Sequence, residues 1–159
     1  MINKPNNNEK VQLTQEGFQG LTNELKELNE KRPAAVDRLA NARAMGDLSE
    51  NNDYHNSREA LEFLDGRITE LEKVLQAAEV VKNSSGKQTT VGVGTTVRVG
   101  TNGKQHSFHI VGEWEADPKE KKISHESPLG QALVGKKVGD KVEVEAPAGK
   151  IMYSVLGIE

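Results

Sequence analysis

Apolar residues in the first half of the chain step by threes and fours, in two runs separated by a polar stretch. The first run passes through Phe18, Leu21, Leu25, Leu28, Ala35, Leu39 and Ala42, with Arg32 as its one charged interruption. Such stepping is a heptad seam, the stripe a helix presents to a partner helix in a coiled coil. Thr14 is placed as N-cap and Glu16 falls in the first turn, where negative charge suits the helix dipole, while Gly17 and Gly20 weaken that turn. Pro33 removes a backbone hydrogen bond inside the run, so a bend or two abutting helices is expected there. The second run passes through Tyr54, Ser57, Leu61, Leu64, Ile68, Leu71, Leu75 and Ala78. Two seams of matched length joined by a short connection make antiparallel neighbours, and residues 14 to 80 read as a helical hairpin coiled coil. The reversal lies between Ala44 and His55, and no third helix of that length is present to complete a bundle.

The period then changes. Lys82 to Lys87 has the composition of a linker, and beyond it Val91, Val93, Val97 and Val99, then Phe108 and Ile110, alternate with small or polar residues as strands do. Thr101-Asn102-Gly103-Lys104 reads as a hairpin turn, because Asn-Gly accepts the positive φ angles of a type I′ turn. Ser127-Pro128 opens a short helix that Gly135 closes. A second hairpin follows, with strands near 141 to 146 and 150 to 156 joined at Pro147-Ala148-Gly149. The fold class is α+β: a flexible tail over residues 1–12, an antiparallel coiled coil over 13–80 with an acidic tip at 46–50, a linker over 81–88, and a small β-rich domain with one short helix over 89–159.

Composition narrows the function classes. The 159 residues are 35% hydrophobic with a mean hydropathy of -0.65, which describes a soluble, folded chain. The first ten residues hold no apolar run, so no secretory or transit segment and no membrane association is expected, and the cytoplasm is the expected compartment. The absence of cysteine excludes disulfides and thiolate metal sites. A net charge of -3 argues against broad, non-specific nucleic-acid binding.

The candidate chemistry centres on Asp47-x-x-Glu50. Spacing alone favours a capping box, with Asp47 as N-cap of the second helix and Glu50 as its reciprocal partner. The same spacing places two carboxylates on one helical face, where they can share a hard cation such as Mg²⁺. Two exposed carboxylates hold Mg²⁺ poorly unless a partner supplies further ligands, so the tip would be half of a metal site. Gly130 to Lys137 nearly matches a phosphate-binding loop but ends in Lys137 where Ser or Thr is needed, and reads as a helix end and turn. His106 and His109 fall on opposite faces of a strand, which separates them as metal ligands. His55 reads as a solvated helix residue. No nucleophile constellation exists, and Phe108, Trp114 and Tyr153 are too few for a base-stacking platform.

Two signatures resemble one family. Ala42-Arg43-x-x-Gly46-Asp47-Leu48-x-Glu50-Asn51-x-x-Tyr54-His55 resembles the tip of the bacterial Gre transcript-cleavage factors, and Ser127-Pro128-Leu129-Gly130-x-x-Leu133-Val134-Gly135-Lys136-x-x-Gly139-Asp140 resembles their second signature. Together they span the chain from about residue 13 onward. The resemblance implies an N-terminal antiparallel coiled coil and a C-terminal domain similar to FKBP-type prolyl isomerases. It implies a monomer without a complete active site of its own. The C-terminal domain would dock at the rim of the secondary channel of RNA polymerase through Ser127 and Pro128. The coiled coil would carry Asp47 and Glu50 to the polymerase active centre, to share Mg²⁺ and stimulate cleavage of backtracked nascent RNA at its 3′ end. Arg43 and Arg58 match basic residues that lie beside the RNA in this family, with surface ion pairing as the alternative, and any association with DNA would run through the polymerase complex. Ser49 stands where the family often has a basic residue. The hairpin from 14 to 80 carries eight Lys and Arg against fourteen Asp and Glu, which points within the resemblance to the GreA type. Three rival readings remain: a secondary-channel inhibitor on the same fold, a prolyl isomerase or chaperone, and a structural coiled-coil adaptor.

Overall fold

The structure, a computed structural model, describes residues 10–47, 50–82 and 86–159. The chain forms two compact units, one made of Gln19–Ala77 and the other of the segments ending at Phe18 and starting at Ala78. The expected tail lies outside the described residues up to residue 9, and so do Asn83–Ser85 of the expected linker.

The first unit is the helical hairpin. Helix α1 spans Gln15–Ala44 and helix α2 spans Asn52–Ala77. α1 runs through Pro33 as a single helix, and the expectation of two abutting helices gives way. The seams read from the sequence are the inward stripes: Leu21 and Ala42 are buried on α1, Ser57, Ile68 and Leu71 on α2, and Leu25, Leu28, Leu39, Leu61 and Leu64 are half-buried. At the end of α2 the buried position is Val74 rather than Leu75. An α-helix turns every 3.6 residues, so a strict 3.5 spacing drifts off the stripe by its last heptad.

Charged pairs fix the direction of the hairpin. Arg67 holds Glu24 at 2.8 and 3.2 Å, Arg32 holds Asp65 at 2.6 and 3.0 Å, and Arg38 lies 3.7 Å from Asp53. As the number rises along α1 it falls along α2, which is antiparallel packing. The charged interruption at Arg32 is thereby explained, since its guanidinium grips the Asp65 carboxylate with two parallel bonds. That bond holds the Asp65 carboxyl below its usual range and raises Arg32, while the hydrogen bonds that Arg67 donates to Glu24 and Glu70 raise Arg67.

In the other unit, strand β1 (Val11–Thr14) pairs in parallel with strand β2 (Ala78–Val81), Val11 opposite Ala78 and Thr14 opposite Val81. This ribbon corrects two boundaries: Val11 and Gln12 leave the expected tail, and Ala78 leaves the second seam for a strand. Parallel strands need a long crossover, and here the whole helical hairpin supplies it. β-branched Val11, Val80 and Val81 suit extended backbone, and Leu13 is fully buried. Thr14 ends β1 and caps α1, its hydroxyl accepting from the Gly17 amide at 3.0 Å. The Glu115 carboxylate, on the 3₁₀ turn Glu113–Glu115, accepts from the Thr14 amide at 2.9 Å, from the Thr14 hydroxyl, and from the Gly112 amide at 3.1 Å.

Five further strands build the sheet: β3 (Thr96–Thr101), β4 (Lys104–Val111), β5 (Lys122–Ser124), β6 (Lys141–Ala146) and β7 (Gly149–Ile158). Their order is β5-β4-β3-β7-β6, antiparallel except for the β4–β5 pair. The β3–β4 turn has φ of 49° at Asn102 and 74° at Gly103, the two positive angles expected of Asn-Gly. Val97, Val99, Ile110, Val142, Val144 and Val155 form the core with Leu133, which comes from the short helix α3 (Pro128–Leu133). Val91 belongs to that core although the strand begins only at Thr96; amide bonds of 2.8 Å from Val91 to Lys136 and from Gly135 to Val91 hold it in place.

Candidate functional site at the hairpin turn

The turn between α1 and α2 is closed by one side chain. The Asn51 carboxamide oxygen accepts from the Tyr54 amide at 3.0 Å, and its nitrogen donates to the Ala42 carbonyl at 2.7 Å. The first bond caps α2, and the second joins the Met45 amide, 3.3 Å away, on the Ala42 carbonyl in the last turn of α1. Asn51 is therefore the N-cap, and the capping box expected between Asp47 and Glu50 is not formed. α2 starts beyond both acids, which also removes their shared helical face. Asp47, Ser49 and Asn51 are all residue types that cap helices, but a carboxylate only accepts, whereas the Asn51 carboxamide accepts from one helix end while donating to the other. The stretch offered that signal, and spacing from Glu50 drew attention to Asp47 instead. Gly46 bends the chain just past α1 with φ of 118°, an angle that a β-carbon disfavours.

Asp47 and Glu50 are both exposed in this turn. The Arg43 guanidinium lies over the Tyr54 ring, 5.9 Å from its centroid, a cation–π distance, and His55 meets the same ring edge-on at 5.5 Å. Arg58 lies 3.6 Å from Glu62, the i,i+4 pairing weighed from the sequence. Two carboxylates are hard ligands of the kind Mg²⁺ takes, but an octahedral ion needs more oxygens than two side chains provide. Among the described residues no group of three acidic, His or Cys side chains is placed to hold a metal. Two carboxylates alone do not make up an octahedral donor set.

The second signature builds a cap. Ser127 accepts from the Gly130 amide at 3.0 Å and donates to the Ser124 carbonyl at 2.7 Å, with Pro128 exposed at the first position of α3. Both hydrogen-bonding roles of Ser127 are thus filled from within the chain, and Glu126 and the Pro128 ring are the exposed neighbours on either side of it. Gly130 to Lys137 is the end of α3 and the turn after it, as expected. His106 stacks on Phe108 while His109 bonds Thr96 at 3.1 Å, on opposite faces of β4. Phe108 and Tyr153 pack against the core, and Trp114 is half-buried on its 3₁₀ turn.

Two family models match the chain, one described as "Transcription elongation factor, N-terminal" over residues 11–80 and one as "Transcription elongation factor, GreA/GreB, C-term" over residues 86–159. The transcription elongation factor GreA of Rhodospirillum rubrum is 47% identical over 150 residues, 92% of this chain and 96% of that protein. GreA of Agrobacterium fabrum is 43% identical over 154 residues, 95% and 98% of the two chains. GreA of Bacillus anthracis is 39% identical over 150 residues, 92% and 95% of the two. Among solved structures, GreA factor homolog 1 (Gfh1) of Thermus thermophilus is 28% identical with a TM-score of 0.46, covering 95% of this chain and 99% of that one. The chain belongs to the GreA/GreB family of transcription elongation factors. Within that family it stands with the GreA type.

Proposed function

We propose that the chain is a transcript-cleavage elongation factor that carries Asp47 and Glu50 into the secondary channel of RNA polymerase, where the polymerase cuts its own backtracked RNA. The observation that carries this reading is the division of labour at the turn. Asn51 caps the helix, so the two exposed acids are not needed for that structural task. They would hold Mg²⁺ jointly with ligands of the polymerase. A divalent ion so held supplies an activated water or steadies a leaving oxygen. Asp47 and Glu50 themselves raise the occupancy of a weakly held ion and orient it; the catalytic centre belongs to the polymerase. Arg43 and Arg58 flank the turn and lie near the RNA 3′ end in this reading, and Pro128 faces outward to dock at the channel rim.

The experiment is a halted, backtracked RNA polymerase complex supplied with Mg²⁺. Wild type accelerates RNA cleavage, whereas Asp47→Asn with Glu50→Gln binds the polymerase and does not, with the largest deficit when Mg²⁺ is scarce. Equal stimulation by both proteins refutes the reading, and so does cleavage by the factor without polymerase. Pro128→Ala weakens polymerase binding at unchanged thermal stability; unchanged affinity places the anchor elsewhere.

A further inference from the structure

We propose that Asn51 is a positioning residue for the acidic turn: by tying the last turn of α1 to the first turn of α2, it fixes where Asp47 and Glu50 point. The inference rests on the reading of those acids as shared Mg²⁺ ligands. Ala42 and Asn51 are nine residues apart, and both acids lie inside the ring that their 2.7 Å bond closes. The same side chain is committed in the other direction by the 3.0 Å bond from the Tyr54 amide, so its carboxamide has one orientation that satisfies both partners. Tyr54 is in turn held under Arg43, a second tie between the end of α1 and the start of α2. Among the described residues of the connection, Gly46, Asp47 and Glu50 bring no apolar side chain to order it, and Met45 is exposed. The Asn51 bonds supply that order from outside the acids. Ligands that arrive already placed act on the metal at lower occupancy than ligands that must first be ordered.

The test separates capping from positioning. Asn51→Asp keeps an oxygen that accepts from the Tyr54 amide but, as a carboxylate, has no donor for the Ala42 carbonyl. Its helix content by circular dichroism and its competition for polymerase match wild type. Stimulated cleavage in the backtracked complex falls roughly tenfold at limiting Mg²⁺ and recovers most of the loss at high Mg²⁺. Wild-type stimulation at every Mg²⁺ concentration overturns the inference, and so does a deficit that Mg²⁺ leaves unchanged. Should Asn51→Asp lose helix content, Asn51→Gly, a tolerated N-cap residue with no side-chain donor, takes its place in the same titration. The variant lacking both acids runs alongside. If it is inert while Asn51→Asp is fully active, only the positioning role falls; if it stimulates fully, the shared-metal reading and this inference fall together.

Discussion

The two ends of the helical hairpin are held by different forces. In the half next to the β1–β2 ribbon, Leu21, Ile68, Leu71 and Val74 are buried, and Arg67 bridges Glu24 and Glu70. In the half next to the turn the buried seam residues are Ala42 and Ser57, both small, and order comes from the Asn51 bonds and the Arg43–Tyr54 contact. Apolar burial gives large, undirected stabilisation, whereas hydrogen bonds give modest stabilisation with defined geometry. The shaft needs the first and a turn that presents two acids needs the second.

Substitutions sharpen that contrast, beginning with the largest expected effect. Leu71→Ala costs about 3 kcal/mol in urea unfolding, because a fully buried leucine leaves both transfer energy and a cavity. Leu61→Ala, half-buried and nearer the turn, costs about 1.5 kcal/mol, with less apolar area to lose. Equal losses at the two sites would dissolve the distinction. Ser57→Ala works in the opposite direction. Its hydroxyl is buried with no hydrogen-bond partner, so removing it raises stability by about 1 kcal/mol, read in the same urea series.

Asp65→Asn has a small effect that disappears at high salt, because the Arg32–Asp65 pair is exposed enough to be screened. Its signature is the pH profile. The folded-state pKa of Asp65 is depressed by the Arg32 hydrogen bond. Its contribution is therefore complete above the unfolded carboxyl value of about 4 and is lost as pH falls through the lower folded value. The variant flattens that part of the acid limb of the melting curve. Smallest of all, Asp47→Asn with Glu50→Gln shifts stability by less than about 0.5 kcal/mol while abolishing stimulated cleavage.

The sequence disclosed whatever depends on near neighbours. The first seam, the second as far as Leu71, the Asn102-Gly103 turn and the Ser127 cap follow from residues within a few positions of one another, and each stands where it was expected. The β1–β2 ribbon was hidden because its two strands are four residues each and meet only across the whole hairpin, so no local period marks them. The cap at Asn51 was hidden for another reason. Several capping residues crowd the same turn, and the choice depends on the Ala42 carbonyl, a partner that exists only once α1 and α2 are side by side.

The parallel ribbon also sets an order of events during synthesis. Val11–Thr14 leaves the ribosome before either long helix, and its partner Ala78–Val81 leaves after both, so β1 waits without a pairing edge while about sixty residues follow it. Joining Lys10 to Glu79, 69 positions apart, through a disordered chain would cost about 4 kcal/mol of loop-closure entropy. A zipped hairpin shortens that path to the separation between the start of one helix and the end of the other. The two strands therefore pair late and act as a latch that closes only on a completed pair of helices, and a chain with a misregistered hairpin leaves β1 exposed to proteolysis.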